Sequence, residues 1–159
     1  MLLIHQSPHV RQSLLAQPIP LDDFVAVVHV AIGAKTKQWN VDVAGYSDDE
    51  TSLYLSSGGV TLTWDSERKR VHFASGFGNG VGLIRIERAG NDFTLVTESG
   101  SFPMQSTGDG TDGPITFDRI GGLNDSPGCR VLGVAILPGH PTAEDVARVE
   151  VGMIGYQLS

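Results

Sequence analysis

Apolar residues alternate with polar ones along most of this chain, in short segments parted by glycine-rich turns. Trp39, Val41 and Val43 alternate with Asn40 and Asp42, the pattern of a strand with one face on a core and the other toward solvent. Leu53 and Leu55 follow the acidic turn Ser47-Asp48-Asp49-Glu50. Val60, Leu62 and Trp64 point one way, with Thr61 and Thr63 the other, and the same phase recurs in Val71/Phe73, Ile84/Ile86 and Phe93/Leu95. These phases predict a meander of sequential antiparallel strands over residues 60–98. Asn79-Gly80, inside the glycine-rich Gly76–Gly82, supplies the positive φ values of a tight hairpin turn. One segment departs from the alternation. Phe24, Ala26, Val28, Val30 and Ile32 share one face while Val25, Val27, His29 and Ala31 share the other, which predicts a strand covered on both sides.

Farther along, Ile115 and Phe117 begin a short strand between the polar loops 106–114 and 121–128, and Val131–Leu137 reads as an apolar strand. Pro138-Gly139-His140-Pro141 ends it. Thr142 followed three residues on by Asp145 predicts a cap for one helical turn. Val149–Leu158 then reads as the last strand, with Gly152 as a bulge. About nine or ten strands at this spacing predict an all-β fold, either an antiparallel β-sandwich of jelly-roll-like type or a closed β-barrel. It occupies residues 21–159 as a single β domain. Residues 1–20 break the rhythm with Pro8, Pro18 and Pro20 around Leu14-Leu15, and are expected to form an N-terminal arm that docks on a neighbouring subunit or along its own domain.

Composition narrows the function classes. At 159 residues, 40% hydrophobic and 18% charged, the chain is long enough for one substantial core. Eleven basic against eighteen acidic residues give a net charge of −7, which repels phosphate backbones and anionic bilayers. The basic run, Arg68-Lys69-Arg70, falls in a turn. Neither nucleic acid nor membrane is an expected partner. Met1-Leu2-Leu3-Ile4 has no basic flank and is cut short by His5, so no signal peptide is read and a cytoplasmic or particle-associated location is expected. The one cysteine, Cys129, excludes an internal disulfide framework.

Candidate chemistry is thin. The glycine run 76–82 is followed by a strand, not by the helix a phosphate-binding loop requires. His5 and His9 have a helical ligand spacing, but Pro8 interrupts it, and His29, His72 and His140 are scattered; no metal site is expected. His29 lies on an apolar strand face, where a buried imidazole with one hydrogen-bond partner is the ordinary outcome. Cys129 and Ser126, with His140 nearest in sequence, lack the context that activates a nucleophile, and no catalytic residue is assigned. Asp109, Asp112 and Asp118 offer oxygen ligands for calcium without the spacing of an EF-hand. Trp39, Tyr46 and Phe77, placed in or near loops, are the candidate ligand-binding aromatics.

These features point first to a non-enzymatic structural or interaction module that self-associates into a homo-oligomer and uses no cofactor. A ligand-binding module, with carbohydrate as the first ligand class and another small molecule as the second, is the alternative. A small enzyme whose site the sequence does not assemble comes third.

Overall fold

The computed structural model describes residues 3–5, 13–33, 39–74, 77, 80–121 and 128–158. In chain order its strands are β1 (Leu3–His5), β2 (Ser13–Leu21), β3 (Phe24–Ile32), β4 (Asn40–Tyr46), β5 (Thr51–Ser56), β6 (Gly59–Trp64) and β7 (Lys69–Ala74). They continue with β8 (Gly80–Ala89), β9 (Asp92–Thr97), β10 (Gly100–Pro103), β11 (Gln105–Ser106), β12 (Ile115–Ile120) and β13 (Cys129–Pro138). A helix, α1 (Ala143–Leu158), follows. The strands form a six-stranded sheet in the order β1-β13-β3-β8-β9-β10 and a seven-stranded sheet in the order β11-β7-β6-β5-β4-β12-β2. Both sheets have open edges, so the architecture is a sandwich and not the closed barrel held as its alternative.

The alternating phases place the core between the sheets. Phe24, Ala26, Val28 and Val30 of β3 meet Val41, Leu53, Leu55, Leu62 and Ile115 from the opposite sheet in one continuous buried cluster. The second apolar face of β3 is covered as expected, by α1: Val25, Val27, Ala135 and Leu137 form a separate cluster with Val146 and Met153.

Two expectations need correction. The meander over residues 60–98 is two hairpins in different sheets. β6 pairs with β7 (Leu62↔Val71) in the larger sheet, and β8 pairs with β9 (Ile86↔Leu95) in the smaller. The chain passes between sheets from Ala74 to Gly80 in place of the expected hairpin turn, and Asn79 lies outside the described residues. Phase was read correctly because both hairpins turn their apolar faces to the same core; alternation identifies the buried face, not the neighbouring strand.

The last strand is also replaced. Residues 149–158 belong to the sixteen-residue helix α1. Thr142 does cap it: the Asp145 amide donates to Thr142 Oγ1 at 3.1 Å and the Thr142 amide donates to the Asp145 carboxylate at 3.4 Å, a reciprocal capping box. Val146, Val149 and Met153 fall at helical spacing on the face that meets the sheet. The valines and Gly152 that favour a strand are outweighed by the apolar outer face of β3 and β13, which α1 covers.

The described parts of residues 1–20 are strands of this chain's own sheets. β2 runs along β12 (Ile115↔Leu21, Phe117↔Ile19), and β1 runs along β13 (Leu3↔Ile136, His5↔Val134). Leu15 and Ile19 pack against the main core.

Candidate functional site

On the larger sheet, the residues of β4 to β7 that face away from the core are mostly polar, among them Asn40, Asp42, Ser52, Tyr54, Thr61, Thr63, Arg70 and His72. Register carries one row straight across: Asp42 opposes Tyr54, Tyr54 opposes Thr61, Thr61 opposes His72, and His72 opposes Gln105 on β11. At about 4.8 Å between strands this row is about 19 Å long. A second row sets Ser52 opposite Thr63 and Thr63 opposite Arg70. Asn40, Asp42, Ser52, Tyr54, Thr63, Glu67 and Arg70 enclose a shallow groove of about 260 Å³.

The side chains are held by one another. Ser52 Oγ donates to Asp42 Oδ1 at 3.1 Å, and Arg70 Nη2 reaches the Tyr54 hydroxyl oxygen at 3.5 Å. Thr61 Oγ1 lies 2.7 Å from His72 Nδ1. Thr61 and Thr63 are buried beneath the longer neighbours, while Tyr54 and His72 are half-buried and Arg70 is exposed. The face therefore offers a carboxylate, a guanidinium, hydroxyls and an aromatic ring within a few ångströms, the donor and acceptor set that matches a polyhydroxylated ligand.

The aromatics singled out from sequence are elsewhere. Trp39 is 4% exposed and Phe77 is 7% exposed; their rings pack on each other with centroids 6.2 Å apart. Neither is an exposed platform. The cause is a close approach in which a β-carbon at Gly128 would collide with the Trp39 ring, so the indole lies flush on that backbone. Tyr46 sits half-buried at the end of β4 and donates to Asp48 Oδ2 at 3.1 Å. That bond first, then desolvation, and then the charges of Asp48, Asp49 and Asp118 push its hydroxyl above its ordinary pKa. The tyrosine that joins the groove is Tyr54. The sequence shows its phase, but only strand register reveals that Asp42, Tyr54 and His72 are neighbours.

The other candidates resolve as follows. Cys129 is buried at the start of β13, and burial pushes its thiol up to about 11. His140 follows the far end of the same strand, about 30 Å away at strand rise, where its Nε2 contacts Asp23 Oδ2 at 2.6 Å. Ser126 and His9 lie outside the described residues. Asp109 pairs with Arg68 at 3.7 Å and Asp112 with Lys69 at 3.3 Å. Lys69, by hydrogen bond first, holds the Asp112 carboxyl below its usual range. Among the described residues no three metal-ligating side chains converge.

No protein-family model matches the sequence, and no curated protein does. The solved structure of the HCR/D F1240A mutant is similar at a TM-score of 0.52, with 12% identity over 96% of this chain and 47% of the other. HCR/D-Sa-GBL1/C gives a TM-score of 0.50 and 9% identity, again over 96% of this chain and 47% of its own. Chicken galectin 2 gives 0.46 and 12% identity over 79% of this chain and 97% of the galectin. This chain thus spans less than half the length of the two HCR/D chains. At such identities the likeness bears on fold alone, and the fold is the two-sheet sandwich described above.

Proposed function

We propose that this protein is a carbohydrate-binding module that holds a neutral saccharide on the outer face of β4–β7. The observation that carries this reading is the register-aligned row Asp42–Tyr54–Thr61–His72 with Ser52 and Arg70 beside it. Sugar hydroxyls both donate and accept, so a site for them needs acceptors and donors side by side, as Asp42 and Arg70 are here. Charged partners make the stronger hydrogen bonds, and the planar guanidinium can span two adjacent hydroxyls. The Tyr54 ring supplies apolar contact for the C–H face of a sugar while its hydroxyl stays hydrogen-bonded. The net charge of −7 favours neutral sugars over sulfated or carboxylated ones.

A scaffold acting by self-association has less to rest on. The arm expected to reach a neighbour contributes, in its described parts, to the chain's own sheets.

The test is a screen of neutral oligosaccharides followed by calorimetric titration of those retained. Tyr54→Ala and Arg70→Ala are each expected to weaken binding at least about tenfold, roughly 1.4 kcal/mol. Failure of all neutral sugars to bind at millimolar concentration, or unchanged affinity in both variants, would refute the proposal.

A further inference from the structure

A second concavity lies on the other sheet, between α1 and the outer face of β8 and β9. It measures about 530 Å³, within the ~300–1,000 Å³ usual for small-molecule sites. Its walls are largely apolar: Val27 and Leu83 from the sheet and Ile154 from the helix. Val81 and Ile154 are left 58% and 44% exposed at its margin.

His29 is the informative residue. It lies directly opposite Leu83 on β8 and Gly133 on β13, is only 3% exposed, and lines this groove. Its imidazole makes no hydrogen bond among the described residues. Among the described residues the buried side-chain nitrogen without a partner is Trp39 Nε1 and not a ring nitrogen of His29, so the His29 ring stays open to the groove, where water or a ligand can bond to it. Burial lowers the pKa of the ring, leaving it neutral and able to accept a hydrogen bond.

The mouth sets the sign of charge. Glu98 and Glu150 line it together with Arg85. Arg85 is already engaged, at 2.7 Å from both Glu87 and Glu150. Glu98 is exposed and has no ion pair or hydrogen bond among the described residues. One cation against the two lining carboxylates leaves the opening negative, which repels anions and attracts cations.

We propose that this groove binds a small apolar cation, an ammonium carried on an apolar body, with His29 accepting from the ammonium and Glu98 supplying counter-charge. The apolar body covers Val81, Leu83 and Ile154. This site is on the opposite face of the sandwich from the saccharide groove and is independent of it.

The probes are 2-phenylethylamine, 2-phenylethanol and 3-phenylpropanoate, titrated into the full chain and followed by nuclear magnetic resonance of the His29 ring. The amine is expected to shift the His29 signals saturably, the alcohol to bind at least fivefold more weakly, and the acid not to bind. Glu98→Gln, a surface change that leaves folding untouched, should weaken the amine about threefold to tenfold. Val81→Trp, which fills the margin, should weaken it further. Tyr54→Ala should leave it unchanged, which separates this site from the saccharide proposal. The inference is overturned if the amine leaves His29 unmoved, if the alcohol or acid binds as well as the amine, or if Glu98→Gln is neutral. It is equally overturned if light scattering shows a dimer that Val81→Glu dissociates, since the groove would then be an interface between copies.

Discussion

At the end of β8 the side chain of Arg88 turns inward and is buried, an unusual place for a guanidinium. Its nitrogens donate to four carbonyl oxygens: Gly90 at 3.0 Å, Asp22 at 3.1 Å, Thr111 at 3.0 Å and Gly113 at 2.7 Å. Its plane lies 5.2 Å from the Phe93 ring centroid and 5.9 Å from that of Trp64. Burial lowers its pKa, and the charges of Asp23, Asp22 and Asp112 oppose the shift. The arginine thereby ties the β2–β3 turn, the β8–β9 turn and the loop before β12 into one end of the sandwich. Arg88→Lys keeps the charge but cannot span these acceptors. It is expected to cost roughly 2–4 kcal/mol in urea denaturation, since several carbonyls lose their donor at once. A loss below about 0.5 kcal/mol would mean that water takes over the carbonyls without cost. In the sequence Arg88 is one more polar residue after Ile86, in phase with the core but of the wrong type for it. That conflict was the available signal.

α1 shows how an element's type is settled by what it docks on. Its N-terminus was legible because Thr142 and Asp145 interact locally, three residues apart. Its length was not, because Val149–Leu158 carries β-branched residues and glycines whose own preferences run against a helix. The helix is held by Val146 and Met153 against Val25, Val27, Ala135 and Leu137. Two variants separate the contributions. Thr142→Ala removes the cap and is expected to cost about 1 kcal/mol. Met153→Ala empties a fully buried site and is expected to cost about 2–5 kcal/mol, with loss of helical circular dichroism. If Met153→Ala leaves both stability and helix signal intact, α1 is not docked as described.

For the whole molecule, the sandwich depends on segments far apart in sequence. β1 and β2, from the first twenty-one residues, form the outer strands beside β13 and β12. β2 is an edge that carries Pro18 and Pro20, residues that cannot donate to a further strand and so discourage edge-to-edge pairing. Deleting residues 1–20 strips this guarded edge, exposes β12 and removes Leu15 and Ile19 from the core. The truncated chain is expected to melt at least about 10 °C lower, given ~2–4 °C per kcal/mol for a chain of this size, and to aggregate through the uncovered strand. A melting temperature within about 2 °C of the full chain, with no aggregation, would show that the two strands are dispensable.

The alternation of Val60, Leu62 and Trp64, or of Trp39, Val41 and Val43, determined which side chains are buried, because side-chain direction along a strand is a local property with period two. The double apolar face of β3 likewise required cover on both sides before any partner was known. Strand order, the passage between sheets after β7, the length of α1 and the burial of Trp39 and Phe77 were decided only by tertiary structure. Each depends on which distant segment lies alongside, and local pattern carries no record of that. The two candidate sites follow the same division. Asp42, Tyr54, Thr61 and His72 each show a polar phase in sequence, yet they become a surface only through register across four strands. His29 looked like an ordinary core histidine until α1, β3 and β8 left its ring at a groove, with no hydrogen-bond partner among the described residues.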